Sequence, residues 1–165
     1  MSLRKVVAMF SAAIGLVAAH ATVASDASAA TITRHYGAAN GTGCLDAKSY
    51  EGGQRAYVLG CNSGNYQKWR ETGLSWGHVI LANQAFNRCL NYATTTRVVL
   101  GPCDTNNPKQ RWEKIPADLA GHDGYMFRNY WNGRCLKAPS SSGSWVLTTA
   151  TCNLDDPSLR WVYVN

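Results

Sequence analysis

The strongest constraint on the fold is a unit of about 45 residues that occurs three times in the chain. The copies read GCLDAKSYEGGQRAYVLGCNSGNYQKW, RCLNYATTTRVVLGPCDTNNPKQRW and RCLKAPSSSGSWVLTTATCNLDDPSLRW. Each copy has Cys-Leu, a turn-rich stretch, a run of strand-forming residues, a second cysteine, a polar turn and a terminal tryptophan. The cysteines that begin the copies are 45 and 46 residues apart, so the repeat is even along the chain.

The repeat also predicts the fold class. A further short strand signal precedes each copy, in TITRHY, VILANQ and YMFRNY. About four strands per unit give about twelve short strands, and no segment has the period of a helix. A propeller with such repeats would need at least four blades. We therefore expect an all-β chain folded as a β-trefoil of three pseudo-symmetric repeats, at about residues 31–75, 76–121 and 122–165.

The six cysteines predict disulfides, because an even count of cysteines in a small domain is typical of proteins from an oxidising compartment. Six cysteines allow fifteen pairings, and the repeat selects the one that places one bridge in each unit. In the chain-entropy model, closing a loop of this length stabilises the folded state by about 3 kcal/mol per bridge. There is no C-x-x-C motif and the histidines are isolated, so we expect no metal site. The predicted pairs are Cys44–Cys61, Cys89–Cys103 and Cys135–Cys152.

The N-terminal segment has the features of a secretory signal. Two basic residues are followed by the apolar residues 6–19, a stretch too short for a membrane span. The sequence ASA at residues 27–29 fits the small-residue rule for cleavage, although cleavage after Ala21 or Ser25 stays open. We predict a signal peptide at residues 1–29 and a secreted domain at residues 30–165, with no integral membrane association.

Charge and motifs argue against nucleic-acid binding and catalysis. The formal net charge is +6, but the lysines and arginines are scattered singly, without the basic, aromatic-rich cluster that nucleic acids require. The histidines lie apart from any nucleophile motif. Sequence alone leaves open an accidental carboxylate pair, such as Asp155 with Asp46, of the kind a glycosidase needs. We predict a protein that is not an enzyme and needs no cofactor.

The terminal tryptophans are predicted to form the core. Alternate side chains of a strand share a face, so Gln67 points the same way as Trp69. Trp69, Trp112 and Trp161 are then symmetry-related core residues. A buried glutamine amide must find partners, and the polar turn just before Gln67 offers them. Leu159 replaces this glutamine in the third unit, so we expect the turn there to be held differently.

Cys-Leu-Asp followed by a second cysteine and Gln-x-Trp resembles the ricin-B-type (QxW) lectin family, and the resemblance covers the chain from about Thr31. The first unit is most similar to the actinohivin-like, mannose-binding lectins of actinomycetes. Its matching residues are Leu45-Asp46, Tyr57-Val58-Leu59, Cys61-Asn62 and Tyr66-Gln67-Lys68-Trp69. The resemblance implies a β-trefoil with a carbohydrate partner. It also implies one sugar-binding set, supported by Gln67: Asp46, Tyr57, Leu59, Asn62 and Tyr66.

The chemistry of these residues agrees with sugar binding, but each has an alternative role. A carboxylate accepts hydrogen bonds from two hydroxyls, and tyrosine offers an apolar face with a polar rim. Asp46 could instead tie down the turn at residues 52–53, and Tyr57 could be a packed strand residue. Asn62 is also a good turn former. The stretch at residues 47–56 is longer than the loop of the family and could reshape or cover the pocket.

The second and third units lack this set. Asn91 and Lys137 stand at the Asp46 position, and Lys109 and Ser158 at the Tyr66 position. We therefore predict a secreted lectin with one site in the first repeat, and the resemblance implies a mannose-type sugar. The alternative is a trefoil scaffold that binds a protein partner and keeps only relics of sugar sites. The oligomeric state stays open.

Two tryptophans of the third unit fall outside this pattern. Trp131 and Trp145 could mark a different contact surface, but positions in the core or cap of the trefoil are the favoured interpretation.

Overall fold

A computed structural model describes residues 31–51, 53–117, 124–140 and 145–164, and the predicted signal peptide lies outside these ranges. The described residues form an all-β fold with one sheet of thirteen strands and two short 3₁₀ turns, at Ser75–Gly77 and Pro157–Leu159. The strands are β1 (Thr31–Arg34), β2 (Tyr36–Ala38), β3 (Cys44–Tyr50), β4 (Gly53–Leu59), β5 (Trp69–Gly73), β6 (His78–Asn83), β7 (Arg88–Thr94), β8 (Arg97–Gly101), β9 (Trp112–Pro116), β10 (Gly124–Asn129), β11 (Cys135–Lys137), β12 (Thr148–Ala150) and β13 (Trp161–Tyr163).

The architecture is the predicted β-trefoil, with one strand more than expected. The first predicted strand is divided at His35 into two strands, which pair with different neighbouring strands. β1 pairs with β5 inside the first repeat, whereas β2 pairs with β3 and with the last strand, β13. The chain ends of the domain are therefore joined side by side in the sheet. All the pairings are antiparallel, as expected for a chain of hairpins.

The core confirms the prediction for the repeated tryptophans. Trp69, Trp112 and Trp161 have no solvent exposure. Each indole N–H donates to the carbonyl of the leucine in its own Cys-Leu motif, and these leucines are also fully buried. The three nitrogen-to-oxygen distances are 2.9, 3.1 and 3.2 Å. A buried indole needs such an acceptor, and the repeat supplies one at the same place three times.

Three disulfides cross-link the repeats internally, with the pairing that the repeat predicts. Within each repeat, the bridge joins the cysteine of the Cys-Leu motif to the cysteine before the polar turn. Each bridge thereby fixes that turn to the start of a core strand. The bonded pairs are Cys44–Cys61, Cys89–Cys103 and Cys135–Cys152.

The polar turn of the third repeat is held differently from the other two, as the sequence indicates. Leu159 is buried at the position of the missing glutamine. Here Asp156 holds the turn in place of a glutamine amide. Its carboxylate accepts the backbone N–H of Ser158 at 2.9 Å and pairs with Lys137 at 3.1 Å. The Ser158 hydrogen bonds and Lys137 also lower the pKa of Asp156 against the opposing effect of burial.

Trp131 and Trp145 were expected in the core or the cap of the trefoil, and neither is a core residue. Their exposures are 59% and 54%. Lys109 lies 5.7 Å from the centre of the Trp131 ring, so the exposed indole has a cation beside it rather than an apolar shell. Trp145 does lie among the hairpins that cap the trefoil, since its carbonyl accepts the N–H of Val58 at 3.0 Å.

Candidate functional site

The first-repeat hairpin, β3 with β4, carries most of the predicted sugar set. Its seven register pairs run from Cys44 opposite Leu59 to Tyr50 opposite Gly53. The stretch that is longer than the family loop therefore forms an extended hairpin. Asp46 lies directly opposite Tyr57 in this register, so the two side chains share a face.

An open pocket of about 430 Å³ lies beside this hairpin. We call it the first-repeat pocket. Tyr57 and Tyr66 form part of its wall, so the structure brings these two predicted residues together. Tyr66 is 52% exposed, whereas Tyr57 is only 9% exposed. The full lining consists of Ala47, Lys48, Ser49, Tyr57, Tyr66 and Phe86.

Asp46 lies beneath the pocket and is only 2% exposed. Its Oδ1 accepts the N–H of Ala47 at 2.6 Å, and its Oδ2 accepts the amide of Gln67 at 2.7 Å. The carboxylate therefore does not tie down the hairpin turn, which was one interpretation of the sequence. In this arrangement it orients Tyr57 and Gln67, and its direct contact with a sugar stays a prediction.

Gln67 joins the carboxylate to the polar turn, as expected from the sequence. It is fully buried. Its Oε1 accepts the N–H of Asn62 at 2.8 Å, and its Nε2 also donates to the carbonyl of Gly60 at 3.0 Å. One buried amide thus makes three hydrogen bonds and fixes the base of the pocket relative to the turn.

Two residues of the next repeat support the pocket, one as a wall and one from beneath the surface, and neither belongs to the set predicted from the sequence. Phe86 packs against Tyr66 with the ring centres 5.4 Å apart. Asn83 is fully buried, and its amide donates to the carbonyl of Tyr66 at 2.7 Å. The same side chain accepts the N–H of Phe86 at 3.3 Å, so it holds both aromatic residues. The recurrence of Asn83 as Asn129 one repeat later was the available signal.

The phenol of Tyr57 stays protonated at neutral pH. Burial raises its pKa, and the nearby, hydrogen-bonded carboxylate of Asp46 raises it further. Both effects disfavour a phenolate, because it would be poorly solvated and repelled by the negative charge. The hydroxyl is therefore kept in the form that can donate a hydrogen bond.

Leu59 and Asn62 are exposed at the same end of the hairpin but are not among the residues that line the pocket. The Oδ1 of Asn62 accepts the N–H of Gly64 at 2.8 Å, which is the turn-forming role that the sequence allowed. Its amide nitrogen makes one long contact, 3.4 Å, to the carbonyl of Gly60. Their contacts with a sugar remain predictions.

The second repeat shows what is lost when the set changes. Gln110 holds its turn as Gln67 does, through Asp104 and Pro102. However, Asn91 replaces the aspartate, and its buried Oδ1 has no hydrogen-bond partner. Lys109 stands where Tyr66 forms an aromatic wall in the first repeat. The scaffold of the predicted site is thus repeated without its carboxylate and its aromatic wall.

Metal-ligand clusters and membrane-spanning helices are both absent from the described parts of the chain. In those ranges, no group of three or more His, Cys, Asp or Glu side chains could hold a metal ion. No helix within the same ranges is long and apolar enough to cross a membrane.

The sequence profile of the ricin-type β-trefoil lectin domain matches residues 33–161. The chain belongs to this family. Among curated proteins, none matches the sequence. The match to the lectin domain covers all three repeats and contains every residue of the first-repeat pocket.

Solved structures similar to this lectin domain share its fold at low sequence identity. A designed threefold-symmetric protein, ThreeFoil, matches with a TM-score of 0.70 at 18% identity, over 81% of this chain and 98% of its own. The cytolethal distending toxin of Haemophilus ducreyi matches with a TM-score of 0.66 at 16% identity, over 79% of this chain and 81% of its own. The hemolytic lectin CEL-III matches with a TM-score of 0.65 at 20% identity, over 81% of this chain and 30% of its own.

Proposed function

We propose that the protein is a secreted lectin that binds one sugar unit in the first-repeat pocket. The observation that carries the proposal is the convergence of Tyr57, Tyr66 and Phe86 above the buried pair of Asp46 and Gln67. Aromatic faces cover the apolar C–H surfaces of a sugar ring, and the polar base supplies oriented hydrogen-bonding groups. The family match and the lectin CEL-III among similar structures support carbohydrate as the ligand class.

Mannose is the proposed sugar type, because the first repeat resembles the repeats of the actinohivin-like lectins. The matched set is present in this repeat alone, so the proposal is for one site per chain. The activity is proposed to be binding without catalysis. Asp46, one carboxylate that a glycosidase arrangement would use, is buried and hydrogen-bonded in the base of the pocket.

The test is titration calorimetry of the purified protein with methyl α-mannoside, after a glycan-array survey. Tyr66→Ala removes one aromatic wall and should weaken binding by about 0.5–1.5 kcal/mol, or roughly 2- to 13-fold. Lys109→Ala is the matched control, because it truncates the equivalent position of the second repeat and should leave the affinity unchanged. Equal effects of the two variants would place the sugar elsewhere.

Secretion is tested separately by expressing the full chain and analysing the culture medium. The proposal expects the protein in the medium with residue 30 at its N-terminus. A protein that stays inside the cells with its first residues intact would refute the signal peptide. A product that begins after Ala21 or Ser25 would keep secretion and correct the cleavage site.

A scaffold for a protein partner is the second candidate, and the exposed tryptophans favour it. Trp76, Trp131 and Trp145 are more than half exposed and lie outside the lining of the first-repeat pocket. Large exposed aromatic residues are enriched at protein interfaces. If the folded protein binds no glycan on the array, this candidate replaces the lectin proposal.

A further inference from the structure

A second cavity, of about 560 Å³, lies where hairpins of the three repeats meet. We call it the hairpin cavity. The first hairpin contributes Tyr50 and Arg55, the second contributes Arg97, and the third repeat contributes Trp145 and Val146. Backbone contacts fix these walls, since Arg55 pairs with Val99 of β8 and Tyr57 forms an isolated bridge with Val146.

The positive charges of the first hairpin are placed in an arrangement that costs stability. Lys48 lies directly opposite Arg55 in the register of β3 and β4, and both are exposed. Like charges in this position repel each other. Arg97 adds a third exposed cation from the neighbouring hairpin. The acid of this hairpin that reaches solvent is Glu51, at the turn between the strands.

These cations take no part in the ion pairs of the described residues, which join Lys114 to Glu71, Arg128 to Glu113 and Lys137 to Asp156. A local rule that is broken without a compensating opposite charge is a mark of a functional surface. An anion bound in the hairpin cavity would supply the opposite charge for Arg55 and Arg97, which line it, whereas Lys48 lines the first-repeat pocket.

Aromatic and apolar surface lies beside the same charges. The ring of Tyr50 is 40% exposed, and it lies 5.6 Å from the amine of Lys48 and 5.4 Å from the guanidinium of Arg55. Trp145 and Val146 are more than half exposed on the other side of the cavity. An acidic sugar unit needs both features, an apolar face for its ring and a guanidinium that can hold its carboxylate or sulfate.

Tyr57 lines both the hairpin cavity and the first-repeat pocket, so the two are adjacent. We propose that they form one extended site for an acidic oligosaccharide, with the acidic sugar unit in the hairpin cavity between Arg55 and Arg97. This inference rests on the carbohydrate-binding function proposed above and names a charge preference for it.

The test compares four probes by titration calorimetry at low and high salt. They are a uronic-acid oligosaccharide, its neutral methyl ester, a sulfated oligosaccharide and inorganic polyphosphate. Wild-type protein should bind the uronate or the sulfated probe about tenfold more tightly than the neutral ester at low salt, and high salt should reduce this preference. Whichever of the uronate and the sulfated probe binds more tightly identifies carboxylate or sulfate as the recognised group.

The Arg55→Gln/Arg97→Gln variant should lose this tenfold preference and keep its affinity for the neutral ester. Lys68→Gln/Arg128→Gln is the matched control, because it removes the same charge outside both cavities and should keep the preference. An equal loss in the control would overturn the proposal, and so would polyphosphate binding as tight as that of the acidic glycans. Either result would show attraction to net charge alone.

The failure of this proposal can be told apart from the failure of the lectin proposal. If Tyr66→Ala weakens binding of the neutral ester but wild type shows no acidic preference, only the extended site is refuted. If acidic glycans bind through Arg55 and Arg97 while Tyr66→Ala changes nothing, the hairpin cavity stands as a site for acidic sugars, and both the first-repeat pocket and the extended site are refuted. If no probe binds to the folded protein, both are refuted.

Discussion

Replacing Gln67 with alanine should destabilise the protein much more than the same change at Gln110. Both side chains are buried, so both variants leave a similar cavity. Gln110 makes two hydrogen bonds to backbone groups, at 2.9 and 2.7 Å. Gln67 makes the two equivalent bonds and a third, at 2.7 Å, to the carboxylate of Asp46.

The difference between the variants isolates the bond to the carboxylate. A neutral hydrogen bond contributes about 0.5–1.5 kcal/mol and a bond to a charged group about 1.5–3 kcal/mol. From the hydrogen bonds alone, Gln110→Ala should therefore lower the free energy of unfolding by about 1–3 kcal/mol. Gln67→Ala should lower it by about 1.5–3 kcal/mol more, since it also leaves a buried carboxylate oxygen of Asp46 without this partner.

Urea denaturation of the two variants measures this difference, and a double-mutant cycle assigns it. In an Asp46→Ala background, the extra cost of Gln67→Ala should disappear, because the charged partner is gone. Equal costs at Gln67 and Gln110 in the wild-type background would refute the reasoning. So would an extra cost that persists without Asp46.

Two further predictions concern stability. Burial and the nearby carboxylate of Glu71 raise the pKa of Tyr36, so its phenol keeps its proton in the folded state when the unfolded chain ionises. The free energy of unfolding should therefore fall as the pH rises above about 10. Tyr36→Phe should make this fall less steep, by up to about 1.4 kcal/mol per pH unit. Equal slopes for the variant and the wild type, measured by urea denaturation at a series of pH values, would contradict this. Removing the Cys89–Cys103 bridge by a double alanine substitution should lower the free energy of unfolding by about 3 kcal/mol, and a loss below about 1 kcal/mol would show that the closed loop contributes little.

The repeated residues were the most predictable part of the structure. Trp69, Trp112 and Trp161 recur at equivalent places because each repeat makes the same contact, from the indole to the leucine of its own Cys-Leu motif. The cysteine pairs were predictable for the same reason, because each bridge lies within one repeat. A contact that lies within one repeat and recurs in the others leaves a signal that a single sequence can show.

The site was harder to predict because its walls come from different repeats. Phe86 lines a pocket of the first repeat and Asn83 holds Tyr66 beside it, although both belong to the second repeat. An alignment of the units shows that Asn83 recurs as Asn129, but it does not show that this residue acts on the preceding repeat. Alternation along β3 places Asp46 on the correct face but does not give its depth, which depends on the packing of Tyr57 and Gln67 above and beside it. The exposure of Trp145 likewise depends on how the three hairpins meet.

The pairing of β2 with β13 has a consequence for how the chain reaches its native state. The two strands are joined from Ala38 opposite Trp161 to Tyr36 opposite Tyr163, across almost the whole domain sequence. Contacts between such distant segments carry a large loop-closure entropy and slow the search for the native topology. We expect folding to finish only after the last repeat has been synthesised, with β13 as the strand whose docking completes the sheet.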